Sequence, residues 1–98
     1  MEFEWDEGKR NDVILERGVD FEEVALIFES PVLTRIDRRK DYGEARYRAL
    51  GMVDNECFVV VYTERGNVRR LITAWKAGKN DRKEYEARFL GRTQETEG

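Results

Sequence analysis

The stretch CFVVVYTERGNVRRLITAW, residues 57–75, decides the fold. Its first seven residues are apolar, aromatic or β-branched with no charge among them, as in a central strand covered on both faces. ERGN (64–67) is a tight turn on Gly66, and VRRLITAW (68–75) returns as an antiparallel strand. Successive strand side chains point to opposite faces. An unbroken strand therefore puts Arg70 on one face with Val68, Ile72 and Ala74, and Arg69 on the other with Leu71, Thr73 and Trp75. The double arginine delivers one guanidinium to each side of the sheet.

Working outward, VLTRID (32–37) and ARYRALG (45–51) alternate apolar and polar residues as strands do. RRKDYGE between them is a hairpin turn around Gly43, and Asp54-Asn55 turns the chain into the central strand. On the N-terminal side, Asp6 offers a cap for a helix through EGKRNDVILERG, with Val13, Ile14 and Leu15 clustered and Gly18 as its stop. DFEE (20–23) has capping-box form, and Phe21, Val24, Ala25 and Phe28 make one helical face that ends before Pro31. FEW (3–5) reads as a short strand or an apolar anchor. Beyond Trp75, Gly78 and Asn80 precede a helix DRKEYEARFL, in which Tyr85 and Phe89 share a face. The expected architecture is α+β: two N-terminal helices, a four-stranded antiparallel sheet and a C-terminal helix. It forms one domain over residues 1–92, followed by a polar tail at 93–98.

The chain has 98 residues, 40% apolar and 40% charged, which suits one small folded domain. It contains no histidine and one cysteine. These counts exclude an internal disulfide, a cysteine-based zinc cluster and Ser-His or Cys-His dyads. Cys57 sits in an apolar run and reads as a buried, inert thiol. The longest apolar run is too short to span a membrane, and MEFEWDEG is not a signal peptide, so a cytoplasmic setting is expected. The net charge of −3 hides a division along the chain. Residues 1–30 hold ten acidic and three basic groups; residues 61–83 hold seven basic and two acidic. A local basic field can attract phosphate whatever the total charge.

No metal motif, P-loop or dinucleotide fingerprint occurs. What remains is a set of arginines on neighbouring strands: Arg46 and Arg48 on one, Arg65 at a hairpin mouth, Arg69 and Arg70 on the next. Guanidinium forks match phosphate oxygens and stay charged. Such a set serves RNA-backbone binding or stabilises a pentacovalent phosphorane; strand arginines also serve simply to solvate a sheet. Ribonuclease chemistry needs a base for the 2′-hydroxyl, a cation and an acid, and Glu44, Lys9 or Tyr47 are the nearby proton-transfer groups.

Several segments together resemble the BrnT family of bacterial toxins. They are FEWD at 3–6, Lys9, RGVDFEEV at 17–24 with Phe28 and Pro31, DYGEARYRALG at 41–51, VVVYTERG at 59–66, RRLITAWKA at 69–77 and RKEYE at 82–86. They run co-linearly over about residues 3–86. The resemblance implies a RelE-like fold and the toxin half of a type II toxin–antitoxin pair. That toxin is an endoribonuclease that cleaves RNA without metal or other cofactor and arrests translation. The implied partner is a BrnA-type antitoxin, a small DNA-binding protein encoded alongside, and the resemblance allows a heterotetramer with it. Carried over residue by residue, the functional positions are Lys9, Glu44, Arg46, Arg65 and Arg70. Arg48, Arg69, Trp75 and Lys76 form the wider candidate RNA-binding set.

Two positions depart from the family pattern. Its Lys-His-Gly before the second helix is Glu16-Arg17-Gly18 here, and its Ser-Ala-Arg at the strand end is Thr73-Ala74-Trp75. Trp75 can stack on a base but cannot neutralise a phosphate. The alternative expectation is therefore a catalytically weak homologue that binds antitoxin or RNA.

Overall fold

The computed structural model of the chain describes residues 1–91, so the expected tail at 93–98 lies outside the described residues. Strand β1 is Glu2–Glu4, β2 Leu33–Ile36, β3 Tyr47–Val53, β4 Glu56–Arg65 and β5 Val68–Lys76. Helices are α1 (Glu7–Arg17), α2 (Phe21–Val24) and α3 (Lys79–Phe89), with a 3₁₀ helix at Ala25–Glu29. Residues 57–63 are buried throughout, so β4 is the central strand its composition demands. Strands β2 to β5 form an antiparallel meander.

The expected four-stranded antiparallel sheet is corrected in one respect. The sheet has five strands in the order β1-β5-β4-β3-β2, and β1 joins β5 in parallel, making it mixed. Three residues carry too little alternation to declare a strand, and their partner lies at the far end of the chain. The pairing sets Glu2 against Val68, Phe3 against Arg69 and Glu4 against Arg70.

A second correction concerns β5. Val61 pairs with Thr73 and Tyr62 with Leu71, so Ile72 is left over as a bulge. An extra residue reverses the side-chain alternation beyond it. Ala74 consequently joins Leu71, Val60 and Tyr62 in the helix-covered core, while Thr73 and Trp75 fall on the opposite face with Arg70.

Asp6 accepts a hydrogen bond from the Lys9 backbone N–H at 3.0 Å, and Gly18, at φ +68°, closes α1. Of the expected apolar trio only Val13 is buried; Leu15 is 83% exposed. The expected helix from Asp20 tightens into 3₁₀ form after Val24. At three residues per turn, side chains three apart eclipse. Phe21, Val24 and Ile27 therefore make the fully buried stripe, and Ala25 and Phe28 sit at its margin. These elements cover one face. Helix α3 covers part of the other, with Tyr85 and Phe89 against Leu50, Cys57 and Val59. Cys57 is buried, and burial pushes its thiol up, as an inert thiol requires.

Gly51 lies where the helical layer approaches β3. An added Cβ would meet Ile27 Cβ at 2.8 Å and Val32 Cγ1 at 3.0 Å. Overpacking of this kind costs about 1–3 kcal/mol. Gly51→Ala is expected to lower stability by that amount in urea titration, and an unchanged midpoint would remove the assigned reason for this glycine.

Candidate functional site

The uncovered part of the α3 face carries a cluster drawn from four segments. Arg70 is on β5, Arg65 ends β4, Glu44 and Arg46 close the connection between β2 and β3, and Glu4 ends β1. Two backbone devices assemble it. The parallel register places Glu4 beside Arg70. Thr63, buried and cross-strand from Arg70, donates its hydroxyl to the Ala45 carbonyl at 2.8 Å and so pins Glu44 and Arg46 beside β4.

The side chains form an alternating line. Arg70 Nη1 donates to Glu4 Oε2 at 3.2 Å. Arg65 Nη1 lies 4.0 Å from Glu4 Oε2, and its Nη2 lies 3.7 Å from Glu44 Oε1. Arg46 Nε donates to Glu44 Oε2 at 3.2 Å, and its guanidinium carbon stands 4.0 Å from the Tyr42 ring centroid. Three guanidinium groups against two carboxylates leave an excess positive charge. The Arg65 side chain is 55% exposed, so a ligand can reach the middle of the line. Contacts of 3.7–4.0 Å are too long for hydrogen bonds, and they leave the terminal N–H groups of Arg65 free to donate elsewhere.

Asp37 anchors the segment that carries Tyr42, Glu44 and Arg46. Its buried carboxylate accepts from Arg39 Nε and Nη2, both at 2.8 Å, and from the Tyr42 hydroxyl at 3.4 Å. Its backbone N–H donates to the Arg46 carbonyl at 2.7 Å. The Arg39 hydrogen bonds outweigh the cost of burial and, with Arg48 nearby, hold this carboxyl down at about 2.

Glu44, Arg46, Arg65 and Arg70 thus come together. Lys9 does not: it is exposed on α1 and makes no side-chain hydrogen bond or ion pair among the described residues. Tyr47 packs on Tyr62 in the helix-covered layer, ring centroids 5.5 Å apart. Arg69 stands on that side too, 4.7 Å from the Phe28 centroid and 5.0 Å from that of Tyr62, and it donates to Glu64. Arg48 shares the cluster's face; its Nε is buried without a partner beside a cavity of about 50 Å³ lined by Leu33, Arg35, Leu50, Val59 and Asp81. Lys76 is exposed and lies 3.7 Å from Glu56.

The two departures meet. Arg17 Nη1 donates to Thr73 Oγ1 at 2.8 Å and to the Ala74 carbonyl at 3.1 Å, and its guanidinium lies 5.9 Å from the Trp75 ring centroid. Arg39 stands 5.4 Å from the same centroid. Trp75 is thus held between two cations, at the far end of β5 from Arg70.

Glu4, Tyr42 and Thr63 were not singled out from the sequence. Thr63 and Glu4 stand inside VVVYTERG and FEWD, which is the signal that could have found them. Among the described residues no group of three or more His, Cys, Asp or Glu side chains is arranged to hold a metal ion, and no helix is long and apolar enough to cross a membrane. Residues 5–81 match the model of a protein family described as "Ribonuclease toxin, BrnT, of type II toxin-antitoxin system". No curated protein matches the chain.

Proposed function

Because the chain belongs to the BrnT family of ribonuclease toxins of type II toxin–antitoxin systems, we propose that the arginine–glutamate line is its RNA-cleaving centre. One observation carries this reading: Glu44 and Arg46, from the connection before β3, and Arg65 and Arg70, from the β4–β5 hairpin, converge on one solvent-accessible patch. Arg46, Arg65 and Arg70 grip the scissile phosphate and balance the charge that builds on it. Glu44, bonded to Arg46 and close to Arg65, sets their spacing. Lys9 has no contact with this set, which leaves it the weakest of the five candidates. Arg48 and Trp75 extend this face along the bound strand, whereas Lys76, paired with Phe58, turns to the helix-covered side and takes no part in it.

Cleavage by this set uses no metal, since guanidinium groups supply the cationic stabilisation. The RNA cut is in the cytoplasm, and its loss arrests translation. A BrnA-type antitoxin, a small DNA-binding protein encoded alongside, neutralises the toxin by covering the basic face with an acidic or apolar segment. A heterotetramer accommodates that arrangement.

The alternative, a binding module with little turnover, draws on Arg17 and Trp75. Their mutual contact favours it only at the far end of β5, away from the arginine line. Inducible expression separates the two readings. Growth arrest, relieved by the neighbouring antitoxin gene, together with RNA digestion in excess EDTA, is the expected result. A folded, antitoxin-binding protein that leaves growth and RNA intact would establish the alternative, and cleavage abolished by EDTA would overturn the metal-free mechanism.

A further inference from the structure

Cleavage beside a 2′-hydroxyl needs a group to accept its proton, within reach of a phosphate bound to the arginines. Three sequence-derived candidates for that group fare poorly. Tyr47 is on the wrong face. Lys9 has no contact with the cluster. Glu44 has an arginine beside each oxygen: Oε2 accepts from Arg46 Nε at 3.2 Å, and Oε1 faces Arg65 Nη2 in a 3.7 Å ion pair. Glu4 is placed differently. Arg70 and Arg65 both approach its Oε2, at 3.2 and 4.0 Å. No hydrogen bond reaches its Oε1 among the described residues. A phosphate bridging Arg65 and Arg70 would therefore lie against a carboxylate with one oxygen uncommitted.

We infer that Glu4 is the general base of the reaction, an inference that rests on reading this cluster as a ribonuclease centre. Glu4 lies one residue outside the matched segment and inside the FEWD motif of the resemblance, which gives it no role. In the step, Glu4 Oε1 takes the proton of the 2′-hydroxyl and the 2′-oxygen forms a bond to phosphorus. The bond from phosphorus to the 5′-oxygen breaks, and that oxygen takes a proton from water. The products are a 2′,3′-cyclic phosphate and a 5′-hydroxyl, and Glu4 then returns its proton to solvent. Arg65 and Arg70 hold the non-bridging oxygens throughout.

The substitution Glu4→Gln keeps an acceptor for Arg70 and removes the base. It is expected to lower kcat at least about 100-fold, while affinity for an RNA carrying a 2′-deoxy sugar at the cut position shifts less than about threefold. Glu44→Gln, acting through arginine placement, is expected to lose less than Glu4→Gln, and mostly in KM. Thermal melts of each variant establish that it is folded. Full cleavage by Glu4→Gln overturns the inference. So does a loss confined to RNA affinity, which would make Glu4 a positioning residue for Arg70. Recovery of Glu4→Gln on a substrate with sulfur at the 5′-bridging position overturns it too, since an easy leaving group replaces an acid rather than a base. If the wild-type protein cuts no RNA, the reading of the site itself fails, which is a distinguishable result.

Discussion

Replacing Arg70 by alanine is expected to lower single-turnover RNA cleavage by about 10²–10³-fold and to abolish growth arrest, with little change in melting temperature. The Arg70 side chain is half-buried, extends from a strand paired on both sides, and is oriented by its hydrogen bond to Glu4. A donor held in place before substrate arrives pays no reorganisation during the reaction, and that is where such groups have their largest effect. Its partly exposed ion pair contributes only about 0.2–1 kcal/mol to folding. Activity and stability should therefore separate cleanly. Arg70→Lys retains the charge but loses the fork, and should recover only part of the rate. Arg69→Ala is the informative neighbour. It removes a cation next in sequence but on the helix-covered side, above Phe28 and Tyr62, and should cost far less. Equal losses in the two alanine variants would mean that the general basic field, rather than the Arg70 site, carries the effect.

The contrast between adjacent arginines also marks where sequence reading stopped. Local signals were sufficient for the meander. The apolar run of β4, the turn at Gly66 and the caps at Asp6 and Gly18 each follow from side-chain chemistry within a few residues. The bulge at Ile72 does not, because it depends on how β5 meets β4 rather than on its own alternation. It moves Trp75 onto Arg70's face and takes Ala74 off it. The parallel strand β1 was hidden for a related reason. Glu4 reaches Arg70 across 66 positions of sequence, and three residues advertise nothing of that pairing. Of the five positions carried over from the resemblance, Glu44, Arg46, Arg65 and Arg70 meet in one cluster and Lys9 does not, because a family pattern preserves such non-local information. Glu4 stood within its opening motif but drew no role, since an acidic residue near the N-terminus of an acidic segment looks like solvated surface. Likewise the contact between Arg17 and Trp75 joins two departures that looked independent along the chain.

Removal of the Asp37 carboxylate is expected to have the largest effect on stability, and to reach activity through the segment it holds. Its side chain is 0% exposed and accepts both Arg39 bonds. Arg48, whose Nε is buried and unpartnered, is the other cation near it. Deleting one member of a buried ion pair costs about 3–5 kcal/mol because its partners stay uncompensated. Arg39 can turn to water, so the lower end of that range, about 3 kcal/mol, is expected for Asp37→Ala in urea titration. The pH dependence has a definite sign. Asp37 is held at about 2 when folded against an ordinary 3.8. Its ionised form is thus favoured by folding. Its contribution, on the order of 2 kcal/mol, is complete above pH 4 and is lost as pH falls toward 2. Asp20, lowered by its hydrogen bond from Arg10, changes stability in the same direction. Wild-type protein should therefore lose more stability than Asp37→Asn between pH 4 and pH 2, and parallel losses would show that Asp37 is not the group responsible. At neutral pH the same carboxylate accepts from Tyr42, and the Tyr42 ring supports the Arg46 guanidinium. Asp37→Asn keeps an acceptor but cannot satisfy the Arg39 fork as an anion does. A variant that stays folded yet cleaves RNA several-fold more slowly would show that the segment's order, and not only the protein's stability, sets the spacing of Arg46 and Arg65.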